Sequence, residues 1–202
     1  MDDMAPGIEP ELAALVGSRI CHDLVSPLGA IGNGIELMAM TGGAGAEMDL
    51  VTESVENANA RIRFFRLAFG SAAEGQSLPA REVGAIAGDM RRGSRMALSW
   101  RIEGELSRRE GKLLLLVLSC IESAAPSGGQ VEAVRTARGL RLSARSPRLR
   151  YDETLWSALE DADHPILPPA AQVHFALAPR VAAELERPLR IERTAERIDV
   201  AF

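Results

Sequence analysis

The sequence predicts an α+β chain: an antiparallel helical hairpin over residues 1–78, followed by an α/β sandwich over residues 79–202. Three observations carry this. Two long apolar series at steps of three and four are separated by a glycine-rich break. Beyond residue 79 the pattern changes to short strand-like and helical segments in alternation. Across 202 residues, 47% are hydrophobic and 25% charged, the composition of a soluble globular protein with room for a core.

From Glu11 the residues Val16, Ile20, Leu24, Leu28, Ile31, Ile35 and Met38 fall on one stripe of a long helix, which Pro10 can start. The stretch Thr41-Gly42-Gly43-Ala44-Gly45 ends it, and Met48, Val51, Val55, Ala58, Ile62, Phe65 and Phe69 repeat the spacing on a second helix. Helices of roughly 30 and 24 residues joined this way are each about 35–45 Å long and pack antiparallel. Such a pair has apolar surface left over. A second copy would bury it in an up-and-down four-helix bundle, so a homodimer through residues 11–69 is expected.

Gly70 to Pro79, rich in small residues, reads as a turn and domain boundary. Helical patterns follow at Glu82–Arg92, Arg108–Ala125 and Glu153–Asp161, and strand-like ones at Arg95–Glu103, Gln130–Thr136 and Leu140–Arg145. Ala170–Glu186 reads as a helix kinked at Pro179, and Leu189–Arg193 with Arg197–Phe202 as a closing strand pair. Helices among hairpin-like strands imply helices layered on a sheet.

Charge narrows the function classes. The net charge is −5, and residues 1–78 hold 11 acidic against 4 basic side chains while the remainder holds 17 against 19. A nucleic acid partner is not expected from that balance, because phosphate-backbone binding needs a positive footprint. Cys21 and Cys120 are too few for a disulfide framework, and no Cys/His spacing suits zinc. The apolar run Leu113–Leu118 is far shorter than a membrane span, and from the acidic start Met1-Asp2-Asp3 no signal peptide is expected. A cytoplasmic protein without a membrane partner is expected.

One residue stands out chemically. His22 lies about 200° around the first helix from Leu24 at about 100° per residue, so it faces away from the apolar stripe. Within about 40° of it fall Glu11, Leu15, Ser18, Ser26, Gly29, Asn33 and Glu36, mostly polar and small near the imidazole, so a broad protein surface could approach closely. Gly29, Gly32 and Gly34 each cost the helix about 1 kcal/mol against alanine. Pro27 cannot donate to the carbonyl of Asp23, which should bend or loosen the helix there. Cys21 points about 100° from His22 and is expected at the core or its edge.

The run Cys21-His22-Asp23-Leu24-Val25-Ser26-Pro27-Leu28 resembles the phospho-accepting H box of histidine kinases. With Ser18-Arg19-Ile20, with Asn33-Gly34-Ile35-Glu36-Leu37, and with Phe64-Phe65-Arg66-Leu67-Ala68-Phe69-Gly70 on the second helix, the chain is similar to the ChpT-type histidine phosphotransferases of bacterial cell-cycle phosphorelays. The likeness is strong over residues 11–79 and weak beyond. It implies a homodimer whose C-terminal α/β sandwich resembles a degenerate histidine-kinase ATPase domain. A working kinase of that superfamily needs an Asn-bearing helix for Mg²⁺ and an Asp-x-Gly-x-Gly motif for adenine. Lys112–Ala125 contains no Asn, no such motif occurs, and Gly111-Lys112 does not fit a Walker loop. No ATP and no cofactor is expected on this chain.

The resemblance therefore implies a relay. His22 takes phosphoryl from the receiver aspartate of a hybrid histidine kinase and passes it to response regulators of the CtrA and CpdR type. Asp23 would orient the imidazole and stabilise the charge formed on it. Ser18, Ser26, Gly29 and Asn33 would meet the partner, and Mg²⁺ would reside in the partner's receiver domain. The competing readings are a kinase-derived module that only binds and sequesters a regulator, and a true ATP-dependent kinase. His164 and His174 are expected to be structural. The basic run Arg135, Arg138, Arg141, Arg145, Arg148 and Arg150 reads as a solvated edge strand, with a docking surface for an acidic receiver as the alternative.

Overall fold

The computed structural model describes residues 8–41, 45–161 and 166–202; the glycines 42 and 43 of the expected inter-helix break, and His164, lie outside the described residues. Helix α1 runs over Ile8–Thr41 and α2 over Ala46–Ala68, in antiparallel contact. Gly34 explains one of the three glycines inside α1. A Cβ there would meet Val51 Cγ2 at 2.5 Å, so its absence is what lets the two helices approach. Gly29 and Gly32 face open space.

Helix α1 continues through Pro27 without a break, at the point where the lost donor is expected to bend or loosen it. Pro27 itself is buried, although Val25, Ser26, Leu28 and Gly29 around it are exposed.

The C-terminal part is a sheet covered by helices on one face. Strands β2 (Met96–Arg101), β4 (Gly129–Thr136), β5 (Gly139–Arg145), β6 (Arg190–Arg193) and β7 (Arg197–Ala201) form a mixed sheet in the order β2-β4-β5-β7-β6, with only the β2–β4 pair parallel. A small second sheet pairs β1 (Ser77–Pro79) with β3 (Glu105–Ser107). The stretch read as a turn before Pro79 thus ends in a strand, because its partner lies nearly 30 residues away and leaves no periodic trace in so short a segment.

Helices α3 (Ala80–Met90), α4 (Arg108–Ala124), α5 (Glu153–Glu160) and α6 (His174–Glu184) make up the helical layer. Helix α4 opens on a capping box, with Ser107 Oγ accepting from Glu110 N–H at 3.1 Å and Glu110 Oε2 from Ser107 N–H at 2.8 Å. Leu113 to Leu116 on it are wholly buried. Gly128 and Gly129, with φ of 84° and 152°, bring the chain into β4 where a Cβ would strike the carbonyls of Arg95 and Arg145. The expected helix at 170–186 is a 3-10 turn, Ala170–Gln172, followed by α6, which passes through Pro179 intact.

One core joins the two parts. Phe64, Phe65, Leu67 and Ala68 of α2 belong to the same buried cluster as Val83 of α3, Leu113–Leu118 of α4 and Leu142 of β5. A smaller cluster sets Leu12 of α1 on Val173 and Ala176, with Leu15 and Val16 packed against it. The junction is also held by polar bonds: Arg108 donates to the carbonyls of Ser71 and Arg66, Arg109 to Ala72, and Lys112 to Gly70. Arg108 thus sits on a carbonyl in the last turn of α2, where the helix dipole favours a cation, and Arg109 and Lys112 hold the segment that follows it. Among the described residues no helix is long and apolar enough to cross a membrane.

Candidate functional site

His22 projects from α1 into solvent, its side chain 85% exposed, as the helical arithmetic predicts. The side chain of its neighbour Asp23 is largely covered, and the two meet: His22 Nδ1 lies 3.1 Å from Asp23 Oδ1. A carboxylate oxygen is an acceptor, so the ring proton of a neutral imidazole belongs on Nδ1 in this pair. Nε2 is then left with its lone pair in the open.

The other oxygen of Asp23 is taken by arginines. Arg19 Nε donates to Asp23 Oδ2 at 2.6 Å, one helical turn back, and Arg61 of α2 stands 3.8 Å from the same oxygen. Arg19 also donates through its Nη1 to the carbonyl of Ala171, in the 3-10 turn of the C-terminal part. The sequence reading missed both arginines. The i, i+4 spacing of Arg19 and Asp23 was a usable signal for the first; nothing in the sequence points to Arg61.

Ser18, Ser26, Gly29 and Asn33 are all exposed on α1, on the side of His22. Leu15, the apolar member of that face, is instead covered by the C-terminal part. Cys21 is exposed, not at the core or its edge as expected. The C-terminal part covers α1 along Leu12, Leu15, Val16, Ile20 and Leu24, and that strip leaves the Cys21 position uncovered. One helical turn beyond the histidine a polar cavity of about 230 Å³ is lined by Ser26, Asn57, Arg61, Asp89 and Arg92. Among the described residues no group of three or more His, Cys, Asp or Glu is placed to hold a metal ion.

His174 is buried, with Nε2 3.0 Å from Ser123 Oγ. Since Ser123 Oγ donates to Ser119 O at 3.0 Å, its lone pair is what receives the Nε2 proton. Burial, and secondarily the nearby Arg19 cation, push the imidazole down to about 3, so it is neutral.

The arginine run does not guard an edge. Strand β5 lies between β4 and β7, and the edges are β2 and β6. Alternation turns Leu140, Leu142 and Ala144 inward and Arg141 and Arg145 onto the open face of the sheet. There Arg138, Arg141, Arg190 and Arg197 line a groove of about 620 Å³ with Glu192 and Asp199. The misreading has a simple cause: exposed charges on alternate residues look alike on an edge strand and on an inner strand with one bare face.

Comparison with known proteins agrees with this fold. Residues 80–197 match the family described as histidine phosphotransferase C-terminal domain. The chain is 32% identical over 202 residues to the protein phosphotransferase ChpT of Brucella abortus (strain 2308), covering 95% of this chain and 94% of that one. A solved structure described as a bacterial phosphotransferase at 1.7 Å superimposes with a TM-score of 0.77 at 30% identity, covering 97% of both chains. A helix-borne, solvent-facing histidine backed by a carboxylate, on a hairpin fused to this sheet domain, is accordingly found in a chain that belongs to the ChpT-type histidine phosphotransferase family.

Proposed function

We propose that His22 is the phosphoryl acceptor of a phosphorelay, loaded from the receiver aspartate of a hybrid histidine kinase and unloaded onto response-regulator aspartates of the CtrA and CpdR type. The observation that carries this is the His22–Asp23 pair, which presents Nε2 outward from a face of small residues.

In the forward step Nε2 attacks phosphorus of the aspartyl phosphate, the N–P bond forms, and the P–O bond to the partner's aspartate breaks to release its carboxylate. Positive charge grows on the ring as the bond forms, and Asp23 Oδ1 at 3.1 Å from Nδ1 stabilises it. Transfer onward is the reverse sequence at a second receiver. Ser18, Ser26, Gly29 and Asn33 form the approach surface. The receiver brings its own Mg²⁺ and this chain uses no ATP, a reading supported by the missing Asn on α4 and the missing adenine motif.

The same reading includes a homodimer. Val25, Leu28, Ile35 and Met40 of α1 and Met48, Val55 and Ile62 of α2 are large apolar side chains left exposed in the single chain, and a second hairpin would cover them.

The test incubates the protein with a radiolabelled phospho-receiver, without ATP, beside His22→Ala and His22→Gln. Acid-labile label on the wild type alone supports the relay. No label on any of the three, with a receiver that demonstrably binds, replaces it by a sequestering module.

A further inference from the structure

Asp23 does not hold its position unaided. An Arg at i and an Asp at i+4 is the weaker order for an ion pair in an isolated helix, because it opposes the helix dipole. Here the pair is closed to 2.6 Å, with the Asp23 side chain 9% and the Arg19 side chain 25% exposed. What stabilises it lies outside the helix. The Arg19 guanidinium is a rigid fork that donates from Nε to Asp23 Oδ2 and from Nη1 to Ala171 O, 152 residues away. The two carboxylate oxygens are thereby divided: Oδ2 is held by arginine, and Oδ1 is turned to His22 Nδ1 at 3.1 Å.

His174 of α6 lies near Arg19, is buried and donates to Ser123 in its neutral form, so it adds no positive charge beneath the arginine. Arg61 stands farther from Asp23, at 3.8 Å, and among the described residues makes no hydrogen bond to the C-terminal part that would fix its direction.

We propose that Arg19 is a positioning residue for phosphoryl transfer: it orients Asp23, and through it the His22 imidazole, while anchoring that geometry to the C-terminal domain at Ala171. This rests on the reading of His22 as the acceptor. The consequence is a use for the degenerate domain. By supplying one carbonyl to the far side of the Arg19 fork, it sets which nitrogen of an otherwise free imidazole carries the proton.

The experiment reads the His22 ring directly, by long-range ¹H–¹⁵N NMR of the uniformly labelled full chain, alongside the rate of label uptake from a phospho-receiver. Variants are Arg19→Gln, Arg19→Lys and Arg180→Gln. The last removes an ion pair between Glu9 of α1 and α6 that crosses the same junction without touching Asp23. Wild type and Arg180→Gln should show the Nδ1–H tautomer and equal uptake. Arg19→Gln should mix the tautomers and slow uptake about tenfold, the order expected when a reacting group loses its orientation. Arg19→Lys, whose single ammonium cannot serve both Asp23 and Ala171, should recover the loss only in part.

An unchanged tautomer in Arg19→Gln overturns the proposal, and so does an equal loss in Arg180→Gln, which would make looseness of the junction the cause. If wild type takes no label while Arg19→Gln still mixes the tautomers, the relay reading falls and the brace on the imidazole stands.

Discussion

The two halves of α1 live in different surroundings although their apolar spacing is the same. The first half is covered: Leu12 is buried, and Leu15, Val16, Ile20 and Leu24 pack on the C-terminal part. The second half is bare, with Val25, Leu28, Ile35 and Met40 between 56% and 83% exposed. His22 sits where one regime gives way to the other. The turn before it is tied down through Arg19, and the surface after it is small and open. A histidine that must be rigid in orientation yet reachable by another protein is well served at such a border.

The sharpest way to test the comparison is to charge the bare half. Leu28→Glu with Ile35→Glu should convert the proposed dimer wholly to monomer, read by sedimentation, while circular dichroism of the single chain stays unchanged. A dimer that persists would mean another surface joins the copies.

The covered half predicts the opposite behaviour. Phe64→Ala empties a site 4% exposed in the core shared by hairpin and sheet domain, and should cost about 3–5 kcal/mol in chemical denaturation, as one cooperative transition. Two separated transitions would show that hairpin and sheet domain are independent.

His174 lies under the covered half, and its titration gives the third test. Its pKa in the folded protein is about 3, below the value near 6.5 of an unfolded histidine. Between those values the unfolded chain binds the proton and the folded one does not. Stability is therefore fully present above about pH 6.5 and declines as pH falls toward 3, by up to ~1.4 kcal/mol per unit from this group. Replacing His174 by Gln should flatten the denaturation midpoint across pH 6.5 to 4.5 relative to wild type. The smallest effect belongs to Ser107→Ala, which removes the α4 cap far from the border. It should cost about 1 kcal/mol with no change in label uptake by His22.

Much of this was legible in the chain. Steps of three and four placed both long helices and turned His22 to solvent, because one helix converts spacing into direction without outside help. Alternation placed β4, β5 and β7 to within a residue or two. Cys21 was misassigned for the converse reason: whether a flank of a helix is covered depends on what packs beside it. The β1–β3 pair was missed because three-residue strands have no period to detect. Pro27 and Pro179 stayed within helices although each lacks the backbone donor a helix interior uses.

The residues by themselves determined two helices, a sheet domain and an outward histidine followed by an acid, since periodicity and adjacency are local. Only the tertiary structure decided that Asp23 is shared between His22 and Arg19, that Arg19 reaches Ala171, that His174 is held neutral below it, and that β5 is an inner strand. Those facts depend on which distant segments are brought together. Charge and hydrogen bonding act through space over a few ångströms, and spacing along the chain carries no measure of that distance.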